Sequence, residues 1–66
     1  MAGNTRGKLK EKFEGVHRNF EWSKKHLTEA IDLIQQHNPK LTESIRSLAK
    51  GIETLDELAM GIYSRI

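Results

Sequence analysis

The residues best suited to chemistry in this chain are three histidines and a run of carboxylates. His17, His26 and His37 are the only imidazoles. On a helix, His26 and His37 would point the same way but stand about 16 Å apart along the axis, and His17 would lie on the side opposite His26. No two of them take the i, i+4 placement by which one helix offers two imidazoles to one ion. Glu53, Asp56 and Glu57 form an acidic face on the second half. A general acid–base pair needs a concave, partly desolvated site, and two packed helices offer little concavity. The chain has no cysteine and no glycine-rich phosphate loop. The expectation is therefore no catalytic residue, no metal ligand, no cofactor and no small-molecule substrate. His17 is expected beside Asp56 at the edge of an apolar seam.

The cations suggest a second chemistry. Arg6, Lys8, Lys10, Lys12, Arg18, Lys24 and Lys25 fall in residues 1–26 with three glutamates, for a net charge of +4. Residues 27–66 hold four basic and six acidic side chains, for −2, and the whole chain carries +2. An antiparallel fold would lay the two halves side by side and largely cancel them. The alternative is a basic face that binds RNA or DNA through its phosphates. Trp22 lies about 160° from its apolar neighbour Phe20, in a second stripe with His26, Glu29 and Leu33. A tryptophan on the outside of a helical unit often marks an interface.

These side chains must be positioned by helices. Leu41, Ile45, Leu48, Ile52, Leu55, Ala59, Ile62 and Ile66 follow one another at alternating spacings of four and three, an apolar seam of the kind that requires a partner helix. Leu9, Phe13, Val16, Phe20, Ser23, Leu27, Ala30 and Ile34 repeat the spacing upstream, with Ser23 the one polar break. Ser23 is expected to bond back to the carbonyl four residues earlier, or else to help set the register. The pattern predicts helices over about 6–37 and 40–64, with residues 1–7 a flexible arm and Asn4 or Thr5 a cap. A break near 19–23, giving three helices, is the alternative. His37-Asn38-Pro39-Lys40 is the strong punctuation: proline disfavours helix at the residue before it and suits the first turn of the next, and Asn38 can cap the second helix. So short a connection makes the helices antiparallel. If Ile34 faces Leu41, every facing pair of residue numbers sums to 75, through Leu27–Leu48 and Phe20–Leu55 to Leu9–Ile66.

One hairpin is not enough for this composition. A chain of 66 residues hides only about 60% of the surface its unfolded form exposes, and without disulfides such chains usually recruit a partner. Ile31, Leu33, Leu58, Met60 and Tyr63 widen the apolar surface beyond the seams. The expected architecture is all-α, an antiparallel two-helix hairpin at 8–66 that pairs into a four-helix bundle, most simply as a homodimer. It is similar to the small plasmid-encoded helical hairpin that dimerises and binds RNA loops, in length, layering and turn position alone, with no shared motif. The expected oligomer interface comprises Leu9, Phe13, Val16, Phe20, Trp22, Leu27, Ile31, Leu33, Ile34, Leu41, Ile45, Leu48, Ile52, Leu55, Leu58 and Ile62. Gly51 and Gly61 are expected to admit the close approach of another backbone. No apolar run approaches the 18 or so residues of a membrane span, and charges stand where a signal peptide would have its apolar core. The expectation is an intracellular, cytoplasmic interaction module: a small adaptor, assembly or regulatory factor that binds itself and another protein. Ile66, still in seam phase, carries the further expectation that a native chain continues.

Overall fold

The computed structural model describes residues 2–66, with side chains from residue 5 onward. Helix α1 spans Ala2–Ile34 and helix α2 spans Pro39–Tyr63. They pack on each other as an antiparallel hairpin 55 Å long and about one helix deep. No helix of the described residues is long and apolar enough to cross a membrane.

The element boundaries follow local chemistry. α1 starts ahead of the expected position, so residues 2–7 are helical; residue 1 and the side chain of Asn4 lie outside what is described. With the helix already under way at residues 4 and 5, neither has a cap's position. α1 also runs without interruption through Gly15 and residues 19–23, so the three-helix alternative does not hold. Its C-terminus comes earlier than expected, at Ile34 rather than residue 37. The Ile34 carbonyl accepts from the backbone N–H of both His37 (2.8 Å) and Asn38 (2.9 Å), which closes a tight turn. Asn38 is extended (φ −150°, ψ 86°), as the residue before a proline prefers. Its side chain accepts the Leu41 N–H at 3.1 Å and Pro39 opens the helix, so the expected cap is present.

The helices also meet at the expected level. The cross-helix contacts His17–Asp56 and Glu14–Tyr63 have residue numbers summing to 73 and 77, on either side of 75. What differs is the face presented. On α2 the inward set is Thr42, Ile45, Ala49, Ile52, Asp56, Ala59 and Tyr63, continued by Ile66 just beyond the helix, all buried or half-buried. It keeps Ile45, Ile52, Ala59 and Ile66 from the expected seam and replaces Leu41, Leu48, Leu55 and Ile62 by the residue after each. The four displaced side chains are 44–56% exposed. On α1 the half-buried set contains Phe13, His17, Phe20, Lys24, Leu27, Ile31 and Ile34, while Leu9 and Val16 are exposed. Successive residues are about 100° apart, so exchanging half of a seam turns its centre by about 50°. The facing pairs Phe20–Leu55 and Leu27–Leu48 are thus level with each other but do not lie side to side. Small residues at 42, 49 and 59 let the helices approach more closely there than leucines would.

Little is buried as a result. Ala59 is the one buried apolar residue among those described, and no large side chain is fully enclosed. Gly51 and Gly61 admit no close approach within the hairpin, since a Cβ on either would meet nothing within 4 Å.

Replacing Asn38 with Ala removes the α2 cap. It should cost about 1 kcal/mol, read as a lower urea midpoint at fixed protein concentration. An unchanged midpoint would mean that Pro39 alone starts the helix.

Candidate functional site

The polar groups that the hairpin brings together lie along one broad side. His17, from the middle of α1, donates through Nδ1–H to both oxygens of Asp56 on α2, at 2.9 and 2.8 Å. This pairing is the one expected from the sequence. Asp56 is only 7% exposed, a carboxylate set in the helix–helix seam, whereas the His17 side chain is partly open to solvent. A donor shared by both carboxylate oxygens makes burial of Asp56 tolerable, because an unpaired buried charge would be driven out or neutralised. Glu21 stands one turn beyond His17, and ligand atoms of His17, Glu21 and Asp56 lie within 4.8 Å of one another.

This grouping was not anticipated in full. The signal was present: His17 and Glu21 are at i, i+4, and a register of 75 puts Asp56 beside both. The neighbourhood already contains a cation, because the Lys24 ammonium reaches Glu21 at 3.1 Å. Its pKa is raised first by that hydrogen bond, with the charges of Glu21, Glu53 and Asp56 adding to it and partial desolvation opposing. Lys24 also lines a shallow groove with Thr28, Ile31, Arg46, Ala49, Lys50 and Glu53, open along its length. The arrangement is a charge-balanced strap across the two helices.

At the open end, the Tyr63 hydroxyl donates to Glu14 at 3.0 Å and Lys10 Nζ stands 5.5 Å from the centre of the ring. The bond to Glu14 raises the Tyr63 pKa, helped by the negative charge of Glu14 and by desolvation. The remaining basic residues form no single face. Arg6, Lys8, Lys10 and Lys12 alternate along α1 and so point in different directions around it, and Lys25 Nζ sits 5.3 Å from the Trp22 ring. Trp22 is 58% exposed on the side of α1 away from α2, stacked on His26 with ring centres 5.4 Å apart. His26 in turn approaches Glu29 at 3.6 Å. Leu33, the fourth member of that stripe, is exposed. The hydroxyls of Thr28, Thr42, Ser44 and Thr54 bond to the carbonyl four positions earlier, and among the described residues Ser23 makes no such bond.

The opposite broad side is apolar. In an antiparallel pair, residues just before the inward positions on each helix fall on the same side. The row Leu9, Val16, Ser23, Ala30 on α1 therefore lies beside the row Leu41, Leu48, Leu55, Ile62 on α2, with Lys12, Asn19 and His26 bordering it on α1 and Ser44 on α2. Leu58, 62% exposed, stands at its margin. Of the residues expected at an oligomer interface, Leu9, Val16, Leu41, Leu48, Leu55 and Ile62 are on this face. Phe13, Phe20, Leu27, Ile31, Ile34, Ile45 and Ile52 are half-buried towards the hairpin seam. Comparison of the chain with family models, curated proteins and solved structures returned no match. The functional reading therefore rests on these surfaces.

Two outcomes test the polar side. His17→Ala leaves the Asp56 carboxylate without its donor and should lower stability by about 1–3 kcal/mol. His17→Ala with Asp56→Leu should recover much of that loss, because a well-packed apolar residue can replace a buried pair at little cost. Full loss in both variants would show that packing of the imidazole is what matters. Second, both Tyr63 and Lys24 titrate above their ordinary values in the fold, so each favours folding below its unfolded pKa and loses that contribution as pH rises through the folded one. Thermal midpoints should fall above about pH 10, and the fall should be shallower in Tyr63→Phe.

Proposed function

We propose that this hairpin is a protein-interaction module that works by self-association, two copies forming a four-helix bundle. The observation that carries it is the apolar face left open along the whole hairpin. Exposed leucines scattered singly are normal on a protein surface, but a contiguous apolar patch generally marks an interaction site. Here the exposed residues at 41, 48, 55 and 62 recur every seven residues beside Leu9 and Val16. A heptad repeat keeps a seam facing a neighbouring helix.

The surface area supports the same reading. The chain exposes 5293 Å². A compact monomer of its mass, 7.6 kDa, would expose about 4,300 Å². The excess, about 1,000 Å², is comparable to the roughly 800 Å² that each partner contributes to a standard specific interface. A role as a small adaptor, assembly or regulatory factor suits a module of this kind and is part of the proposal. An intracellular, cytoplasmic setting is part of the proposal, on the absence of cysteine. A further partner protein has a candidate contact in the exposed Trp22–His26 stack. Nucleic acid as partner has less support, because the N-terminal cations are distributed around α1 and Lys10, Lys24 and Lys25 are engaged with neighbouring side chains.

Solution mass by light scattering over a concentration series, at low and high salt, tests the proposal. The expected result is a dimer that persists at high salt, since apolar burial is not screened. A helical monomer at every concentration would overturn it.

A further inference from the structure

Resting on that self-association, we infer the arrangement of the two copies. The second copy docks on the Leu41–Leu48–Leu55–Ile62 face with its α1 laid over this chain's α2. The hairpins run parallel, so that both turns lie at the same end of the bundle.

The two rows on this face are unlike in size. Every member of the α2 row is large. The α1 row is large at Leu9 and Val16 but small at Ser23 and Ala30. Two symmetric pairings keep all neighbouring helices antiparallel. If the twofold axis lies across the bundle, α2 meets α2 and α1 meets α1. The leucine rows then abut one another, while the small residues of α1 leave space unfilled. If the axis runs along the bundle, α2 of each copy meets α1 of the other, and in the half nearer the turn Leu48 and Leu55 face the small Ser23 and Ala30, which is how tightly packed layers interdigitate.

The levels agree with the second pairing. Cross-helix contacts within the hairpin bracket a residue sum of 75, so Leu48 is level with residue 27. With the hairpins parallel, the same level holds in the second copy. Leu48 then enters between Ser23 and Ala30 of the second copy, and Leu55 between Val16 and Ser23 of the second copy. Each large side chain meets the space between two members of the facing row, with Leu48 beside His26 and Leu55 beside Asn19, while Ile62 falls between Leu9 and Val16. Gly51, with open space where a Cβ would be, lies on the same side of α2 and leaves room for the larger side chains of the facing helix. The opposite side of the hairpin is occupied by the charged strap of Glu21, Lys24, Arg46 and Glu53, whose burial would require desolvating charges.

The test uses the full chain. It lacks cysteine, so Gln36→Cys in the exposed turn gives a single spin-label site. With neighbouring helix axes about 10 Å apart, parallel hairpins should place the two labels within about 20–30 Å of each other by electron–electron resonance. Opposed hairpins should separate them by a distance near the 55 Å length of the hairpin, which would overturn the arrangement. In a second variant, Leu48→Glu with Leu55→Glu, neither side chain belongs to the hairpin seam. Helicity should remain, and the dimer dissociation constant should rise by about 100-fold or more. A dimer as tight as the parent, or one lost on Trp22→Ala instead, would place the contact on another face. A parent chain that is monomeric throughout would remove the self-association itself, an outcome separate from either of these.

Discussion

Two helices side by side can each hide only one stripe from water, and this chain carries more apolar surface than one stripe. That limit governs much of what the hairpin does. α2 has large residues at 41, 48, 55 and 62 and a second heptad set at 45, 52, 59 and 66. Turning both fully against α1 would require the leucines to separate the helices. The hairpin instead closes on residues 42, 45, 49, 52, 56 and 59, several of them small, and leaves the leucines outside. Close contact within the chain and an open apolar face are thus two results of one rotation.

The same rotation explains the polar side. Turning Asp56 inward would be unfavourable without a partner, and His17 is placed to donate to both of its oxygens. The pair is directional in a way that apolar contacts are not. Sliding one helix past the other by a turn would separate the imidazole from the carboxylate and leave a buried charge unpaired. Tyr63 with Glu14, and Lys24 with Glu21, add weaker exposed contacts on the same side. One side of the molecule therefore carries register information and the other carries unused apolar area.

Much of the fold could be read from the residues, and the exceptions have physical reasons. Asn38-Pro39 marks the turn because the restriction before proline and the cap after it act within two residues. Equal spacings on either side of it then set the level of every contact, and from that level His17 could be placed beside Asp56. The inward face was harder to read. Leu48 and Ala49, or Leu55 and Asp56, are adjacent residues with the same seven-residue period, and hydrophobicity alone turns the leucine inward. A pattern of one chain does not distinguish a stripe that meets its own helix from a stripe that meets another. The start of α1 was concealed by glycines at 3 and 7, which lower helix propensity but do not forbid helix when it can propagate from the strong pattern downstream.

The turn also shapes how the molecule comes together in time. Because the two helices are joined by so few residues, contacts beside the turn link residues close in sequence, and the separation grows steadily towards the open end, where Glu14 meets Tyr63 across 49 positions. Loop closure is least costly at the turn and grows only slowly as the helices zip together. Helical units dominated by such progressive contacts fold in microseconds to milliseconds. In a chain built this way the open leucine face is complete as soon as the hairpin has closed, with no later step needed to form it.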